Sequence, residues 1–209
     1  MALDNDALKD KAYATIGALP KDRFAAVSAL FQKLEAKDAD TFYHSLRVGM
    51  LVEQISRLFG IESDDLLIAG YLHDIGKLET PTETLQKKTA WTTGDMEIMK
   101  NHVMAGYKIL TDNGFAAAAD IMVLHHKFQK AYYPKIIPAP KTNSGGEISC
   151  INLCGRLLAL ADCYDALRRV NSRSKGKALS DSEIQGKMFE LNPCLGITIE
   201  RLYEAGIFR

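Results

Sequence analysis

The sequence predicts an all-α fold, a helical bundle with a two-helix extension at its amino end. Three observations carry this. Apolar residues recur at spacings of three and four in almost every segment. No alternating strand pattern runs longer than four residues. Gly60, Gly76 and the pair Asn113-Gly114 stand where the apolar periodicity stops, the place for left-handed helix caps.

The first 20 residues carry Asp4, Asp6 and Asp10 and no apolar h-region, so no signal peptide is expected there. In residues 22–34, Phe24, Val27, Leu30, Phe31 and Leu34 form one helical stripe. Residues 42–59 repeat it through Leu46, Met50, Val52, Ile55 and Phe59, and Gly60 closes the helix. Ser63, followed by Asp64 and Asp65, is a capped start for a helix over 66–73 that stops at a left-handed Gly76. A loop with Pro81 and a turn over 83–86 lead to single helices over 95–110 and 115–128. Residues 132–146 hold Pro134, Pro138, Pro140 and the run Asn143-Ser144-Gly145-Gly146, which makes them the one long loop; a loop of that size is more often functional than idle. A long apolar helix over 148–170 is expected at the centre, with helices over 181–190 and 195–205 to finish. The division expected is residues 1–40 as two helices packed on the core or serving a homodimer contact, and 41–209 as the main domain.

Hydrophobic residues make up 47% and charged residues 25%, a balance that closes a core and excludes disorder as the main state. With 26 basic and 26 acidic side chains the net charge is zero, unlike the basic footprint of a nucleic-acid binder. A phosphorylated ligand would have to be met by local charge, such as bound metal ions. No run approaches the roughly 18 apolar residues that span a membrane; the most apolar stretch, 115–124, is interrupted by Asp120. Cys150, Cys154, Cys163 and Cys194 form no CxxC pair and are expected reduced, in a cytoplasmic protein with no membrane partner.

The chain has five histidines, His44, His73, His102, His125 and His126, each in or at the end of an expected helix. One histidine on an apolar face is more often a hydrogen-bonded core residue than a ligand. Four such segments, joined by Asp74 and by Asp162 inside the apolar run Leu157-Leu158-Ala159-Leu160-Ala161, favour metal. A carboxylate in such a helix is disfavoured unless a cation or donor compensates it. Imidazole plus carboxylate suits iron, manganese, zinc or nickel. Neighbouring helical residues point about 100° apart, so His73-Asp74 and His125-His126 address one site only if the backbone turns there, or if each pair straddles two metals. Asp74 is the natural bridge, since its two oxygens can serve two ions. Arg47 shares a face with His44 and can pair with a site carboxylate; Asp165, one turn after Asp162, can orient a ligand.

These segments resemble the HD superfamily of phosphohydrolases, and within it the HD-GYP branch. The resemblance rests on His44-Ser45-Leu46-Arg47-Val48, on Leu72-His73-Asp74-Ile75-Gly76-Lys77, and on His102 with its flanking residues. His125-His126, Ala161-Asp162-Cys163-Tyr164-Asp165-Ala166-Leu167 and the tail Lys177-Ala178-Leu179-Ser180 complete it. It covers about residues 40–190. It implies an HD-domain helical bundle in which His44, His73, Asp74, His102, His125, His126 and Asp162 are metal ligands, with Asp74 bridging and Lys77 on a substrate phosphate. Asp40 stands where the branch often adds a glutamate that helps hold a third metal. Where the branch has its Gly-Tyr-Pro motif, this chain reads Lys127-Phe128-Gln129-Lys130-Ala131-Tyr132-Tyr133-Pro134. Tyr133 is retained there and is expected on the substrate. The basic residues that follow the last ligand are displaced, leaving Arg173, Lys175 and Lys177 as the expected phosphate contacts.

The resemblance implies a phosphodiesterase acting on a cyclic dinucleotide of the cyclic di-GMP type, by attack of a metal-bridging hydroxide. Two metals, or three with Asp40, are expected, iron or manganese before zinc or nickel. A phosphohydrolase of mononucleotides or phosphomonoesters is the second reading, and a non-catalytic nucleotide sensor or docking module the third.

Overall fold

A computed structural model describes residues 4–129, 132–142, 144–169 and 178–209. Among them there is no strand. The α-helices are α1 Asn5–Ile16, α2 Lys21–Lys37, α3 Ala39–Phe59, α4 Asp64–Leu72, α5 Thr82–Leu85, α6 Thr93–Lys100, α7 His102–Asp112, α8 Ala116–Met122, α9 Gly145–Arg168, α10 Asp181–Leu191 and α11 Gly196–Glu204. No helix among the described residues is long and apolar enough to cross a membrane.

The starts are set by short polar caps. Asp38, Ser63, Thr92, Ser144 and Ser180 each accept a backbone N–H from the first turn that follows, which satisfies a donor the helix itself leaves free. Gly60 closes α3 at φ 65°, the left-handed cap that its position implies.

One core takes in both the extension and the main body. Leu8, Ala12 and Ile16 of α1 and Val27, Phe31 and Leu34 of α2 are buried with Phe42, Leu46 and Ile55 of α3. Phe31 packs edge-on to Phe42 and Tyr71, with centroids 5.7 and 5.8 Å apart, a favoured aromatic geometry. Residues 4–40 are thus continuous with the core in packing. On the other side α4 packs on α8, and α3 and α4 both pack on α9; Ile68, Leu72, Met122, Leu158 and Ala161 are buried in that part of the core.

Three expected elements differ. The single helix over 95–110 is two, α6 and α7, parted at Asn101. The helix over 115–128 ends at Met122, and 123–128 continue as tight turns. Gly76 is no left-handed cap: α4 gives way at His73 to a 3-10 turn, Ile75–Glu79, and Gly76 lies within it. Its missing side chain serves close approach instead. A Cβ there would overlap the carbonyl oxygen of His102 and the amide nitrogen of Gly106. Gly76→Ala is therefore expected to destabilise the fold by roughly 3 kcal/mol, the upper end for overpacking a close contact. Urea unfolding midpoints read the change, and an unaltered midpoint would mean that α7 moves away freely.

Candidate metal centre

The backbone turns at His73, at His102 and at His125-His126, and the turns aim them, while His44 stands within α3. After α8 the hydrogen bonds shorten from four residues to three: His125 N–H donates to Met122 O at 3.1 Å and Lys127 N–H to Leu124 O at 2.8 Å. This tightening brings the consecutive His125 and His126 together, their rings 4.1 Å apart. The break at Asn101 begins a new helix at His102, and the end of α4 presents His73 and then Asp74.

A repeated device fixes three of the rings. The Nδ1–H of His73 donates to Gly70 O at 3.0 Å, that of His102 to Met99 O at 2.5 Å and that of His125 to Met122 O at 2.7 Å. A carbonyl only accepts, so each Nδ1 carries the proton and each Nε2 is left as a lone pair. His44 is held the same way by a carboxylate, its Nδ1 donating to Asp165 Oδ2 at 2.7 Å. Arg47 grips Asp165 in turn, Nε to Oδ1 at 2.7 Å and Nη2 to Oδ2 at 3.1 Å, and Arg169 Nε lies 3.5 Å from Oδ2.

The free nitrogens converge as two groups that could each hold a metal ion: His44, His73 and Asp162, and His102, His125 and His126. Asp74 stands between them. Its Oδ2 lies 3.5 Å from His73 Nε2 and 3.6 Å from His44 Nε2, while its Oδ1 lies 3.3 Å from His102 Nε2. His102 Nε2 and His125 Nε2 face each other at 3.3 Å, lone pair to lone pair. His44 Nε2 meets Asp162 Oδ1 at 3.1 Å and His73 Nε2 at 3.2 Å, and His126 Nδ1 is enclosed without a hydrogen-bond partner. Acceptors crowded this closely require positive charge between them. The donor set fits divalent transition metals.

The electrostatics keep His73, His102, His126, Asp74 and Asp162 in their ligating forms. Burial lowers the pKa of His73 to about 4 and of His102 to about 3, and burial with His125 nearby holds His126 well below the ordinary value. These rings are neutral at physiological pH. Burial works against the charged form of Asp74, but Lys77 and the surrounding imidazoles hold it well below the usual carboxylate range. Asp162 is opposed by burial and lowered by the hydrogen bond with His44. Asp165 falls to about 2, because His44 and Arg47 outweigh its desolvation. His44 is the exception: burial lowers its pKa, but the bonds to Asp162 and Asp165 prevail and raise it, toward the protonated ring.

The structure thus gathers His44, His73, Asp74, His102, His125, His126 and Asp162 at one place, with Lys77 Nζ donating to Asp74 Oδ2 at 2.5 Å. Asp40 is exposed and belongs to neither group. Tyr133 stacks on His126 with centroids 4.4 Å apart and an interplanar angle of 29°. Arg173, Lys175 and Lys177 lie outside the described residues. Sequence reasoning missed Arg169, which sits four residues after Asp165 on the same face, and the three carbonyls, for which no residue type gives a signal.

A family model for the HD domain matches residues 41–167. The chain belongs to the HD domain family. HD phosphohydrolases are metal-dependent, and the His/Asp cluster of this HD domain could bind metal. Among curated relatives, a cyclic di-GMP phosphodiesterase of Thermotoga maritima is 27% identical over 178 residues, covering 79% of this chain and 46% of its own length. A 3′3′-cGAMP-specific phosphodiesterase of Vibrio cholerae is 31% identical over 145 residues, covering 66% of this chain and 26% of its own. The chain spans about half or less of the length of these relatives. The HD domain of the L. monocytogenes phosphodiesterase PgpH, solved in complex with cyclic-di-AMP, matches with a TM-score of 0.55 at 20% identity, over 86% of this chain and 85% of that one. That likeness shows the fold, an all-α HD bundle.

Proposed function

We propose that the chain is a metal-dependent phosphodiesterase that hydrolyses a cyclic dinucleotide. The observation that carries this reading is Asp74, whose two oxygens face two separate clusters of imidazole nitrogen. A carboxylate so placed suits two divalent ions, with His44, His73 and Asp162 on one and His102, His125 and His126 on the other. Iron or manganese is favoured, and zinc or nickel suits the same donors. Such ions, when bound, acidify water and neutralise charge on phosphoryl oxygens. The choice of substrate is supported by the curated relatives, which are named for cyclic di-GMP and 3′3′-cGAMP.

The protein's own groups then have distinct work. Asp165, held by Arg47, keeps His44 in the tautomer that turns Nε2 inward. Tyr133 covers His126 and walls the site. The Lys77 ammonium rests on Asp74, within reach of a phosphate oxygen arriving at that face, and stabilises the charge that builds there. Lys77→Ala is expected to lower kcat and kcat/KM together, roughly tenfold to a thousandfold. Arg173→Ala is expected to raise KM with little change in kcat, and Lys175 and Lys177 belong to the same distal basic segment. Steady-state kinetics at matched metal content distinguish the two. A rise in KM alone for Lys77→Ala would make it a ground-state contact.

The test of the function is direct. Protein reconstituted with iron or manganese is assayed against cyclic di-GMP, 3′3′-cGAMP, cyclic di-AMP and a panel of mononucleotides. Opening of a cyclic dinucleotide to a linear one is expected. Release of phosphate from mononucleotides alone would make the chain a phosphomonoesterase instead.

A further inference from the structure

We propose that a cleft lined by Lys127, Tyr132, Lys135 and Ile137 is a subsite for the second phosphate of the cyclic dinucleotide and the base beside it. This rests on the function proposed above. The cleft is open to solvent and has a volume of about 400 Å³. Both lysines are exposed, and among the described residues neither makes an ion pair with a carboxylate. Lys135 Nζ lies 3.6 Å from the centroid of the Tyr132 ring, which is itself 43% exposed.

The cleft adjoins one half of the metal centre. Lys127 follows His126 in the chain, and Tyr133, next to Tyr132, stacks on the His126 ring. The subsite therefore borders the group made by His102, His125 and His126. Lys77 rests on the carboxylate between the two halves: its ammonium contacts Asp74 Oδ2 and also acts on His102. A ligand seated on the centre thus meets Lys77 at Asp74 and the two lysines beyond His126.

A cyclic dinucleotide has the chemistry to use both. One phosphodiester occupies the centre, and the macrocycle holds the other a short, fixed distance away with its full negative charge. The chain has no net charge to attract a dianion, so the second phosphate depends on local cations. Lys127 and Lys135 supply them, Tyr132 offers a ring for a base to stack on, and Ile137 supplies apolar surface. A diester with one phosphate leaves this subsite unfilled.

The experiment uses the metal-loaded chain and two substrates. One is the cyclic dinucleotide turned over fastest among cyclic di-GMP, 3′3′-cGAMP and cyclic di-AMP. The other is bis(p-nitrophenyl) phosphate, a diester with a single phosphate. In the double variant Lys127→Gln with Lys135→Gln, the ratio of kcat/KM for the cyclic dinucleotide to that for the simple diester is expected to fall at least tenfold, through KM. Lys33→Gln, at an exposed lysine of α2, is expected to keep the wild-type ratio. A wild-type ratio in the double variant, whether both rates hold or both fall, overturns the subsite and leaves the proposed function standing. Wild-type protein that hydrolyses the simple diester and no cyclic dinucleotide overturns the function, and the subsite with it.

Discussion

Replacing Asp74 with alanine is expected to lower turnover at least about a thousandfold and to empty both halves of the metal centre. A lost charge-stabilising group at a reacting phosphorus is worth about a hundredfold to a thousandfold by itself. Asp74 adds to this because, among the described residues, it is the one carboxylate within 3.3 to 3.6 Å of histidines from both groups. Its loss also leaves the Lys77 ammonium without its acceptor, beside imidazoles that repel added positive charge. The fold should survive, since the helices around it are held by buried apolar contacts on α3, α4, α8 and α9. Metal analysis, kinetics and circular dichroism on the same preparation read all three consequences. Wild-type turnover with full metal content would make Asp74 a structural residue.

Stripping the metal from the wild-type chain is expected to lower its melting temperature by about 10 °C. Ligand that binds only the folded state stabilises it by about 4 kcal/mol when present at a thousandfold over its dissociation constant. In a domain of this size each kcal/mol moves the transition by roughly 2 to 4 °C. The physical source is the facing pair His102 Nε2 and His125 Nε2, together with the buried carboxylates of Asp74 and Asp162. Unfolding relieves that crowding, and bound metal removes the reason for relief. Calorimetry with chelator, then with metal restored, measures the difference; Asp74→Ala is expected to lose it. Equal melting temperatures with and without chelator would show that the cluster is satisfied by protons alone.

The site was more legible in the sequence than its geometry. Histidines and aspartates in apolar helices stand out because burying such groups requires compensation, so His44, His73, His102 and Asp162 could be picked without knowing where they meet. Side-chain periodicity reports which face is buried. It does not report a change of backbone hydrogen bonding along the same face, which is why 95–110 and 115–128 read as unbroken helices. The tightening at Met122 to Lys127 leaves the apolar pattern of Ile121, Val123 and Leu124 intact while it re-aims the two residues that matter. Gly76 misled for a related reason: a glycine after a helix suggests a left-handed cap, whereas here the constraint comes from α7, far along the chain. Arg169 and the carbonyls of Gly70, Met99 and Met122 were silent because their roles depend on tertiary placement or on main-chain atoms common to all residues.

The central claim is that one carboxylate joins two metal positions. Anomalous diffraction from crystals of metal-reconstituted protein, collected at the absorption edge of the added iron or manganese, tests it most directly. Two peaks per chain are expected, one among His44, His73 and Asp162 and one among His102, His125 and His126, each in contact with an oxygen of Asp74. A single peak, or two peaks with Asp74 bound to neither, would contradict the account.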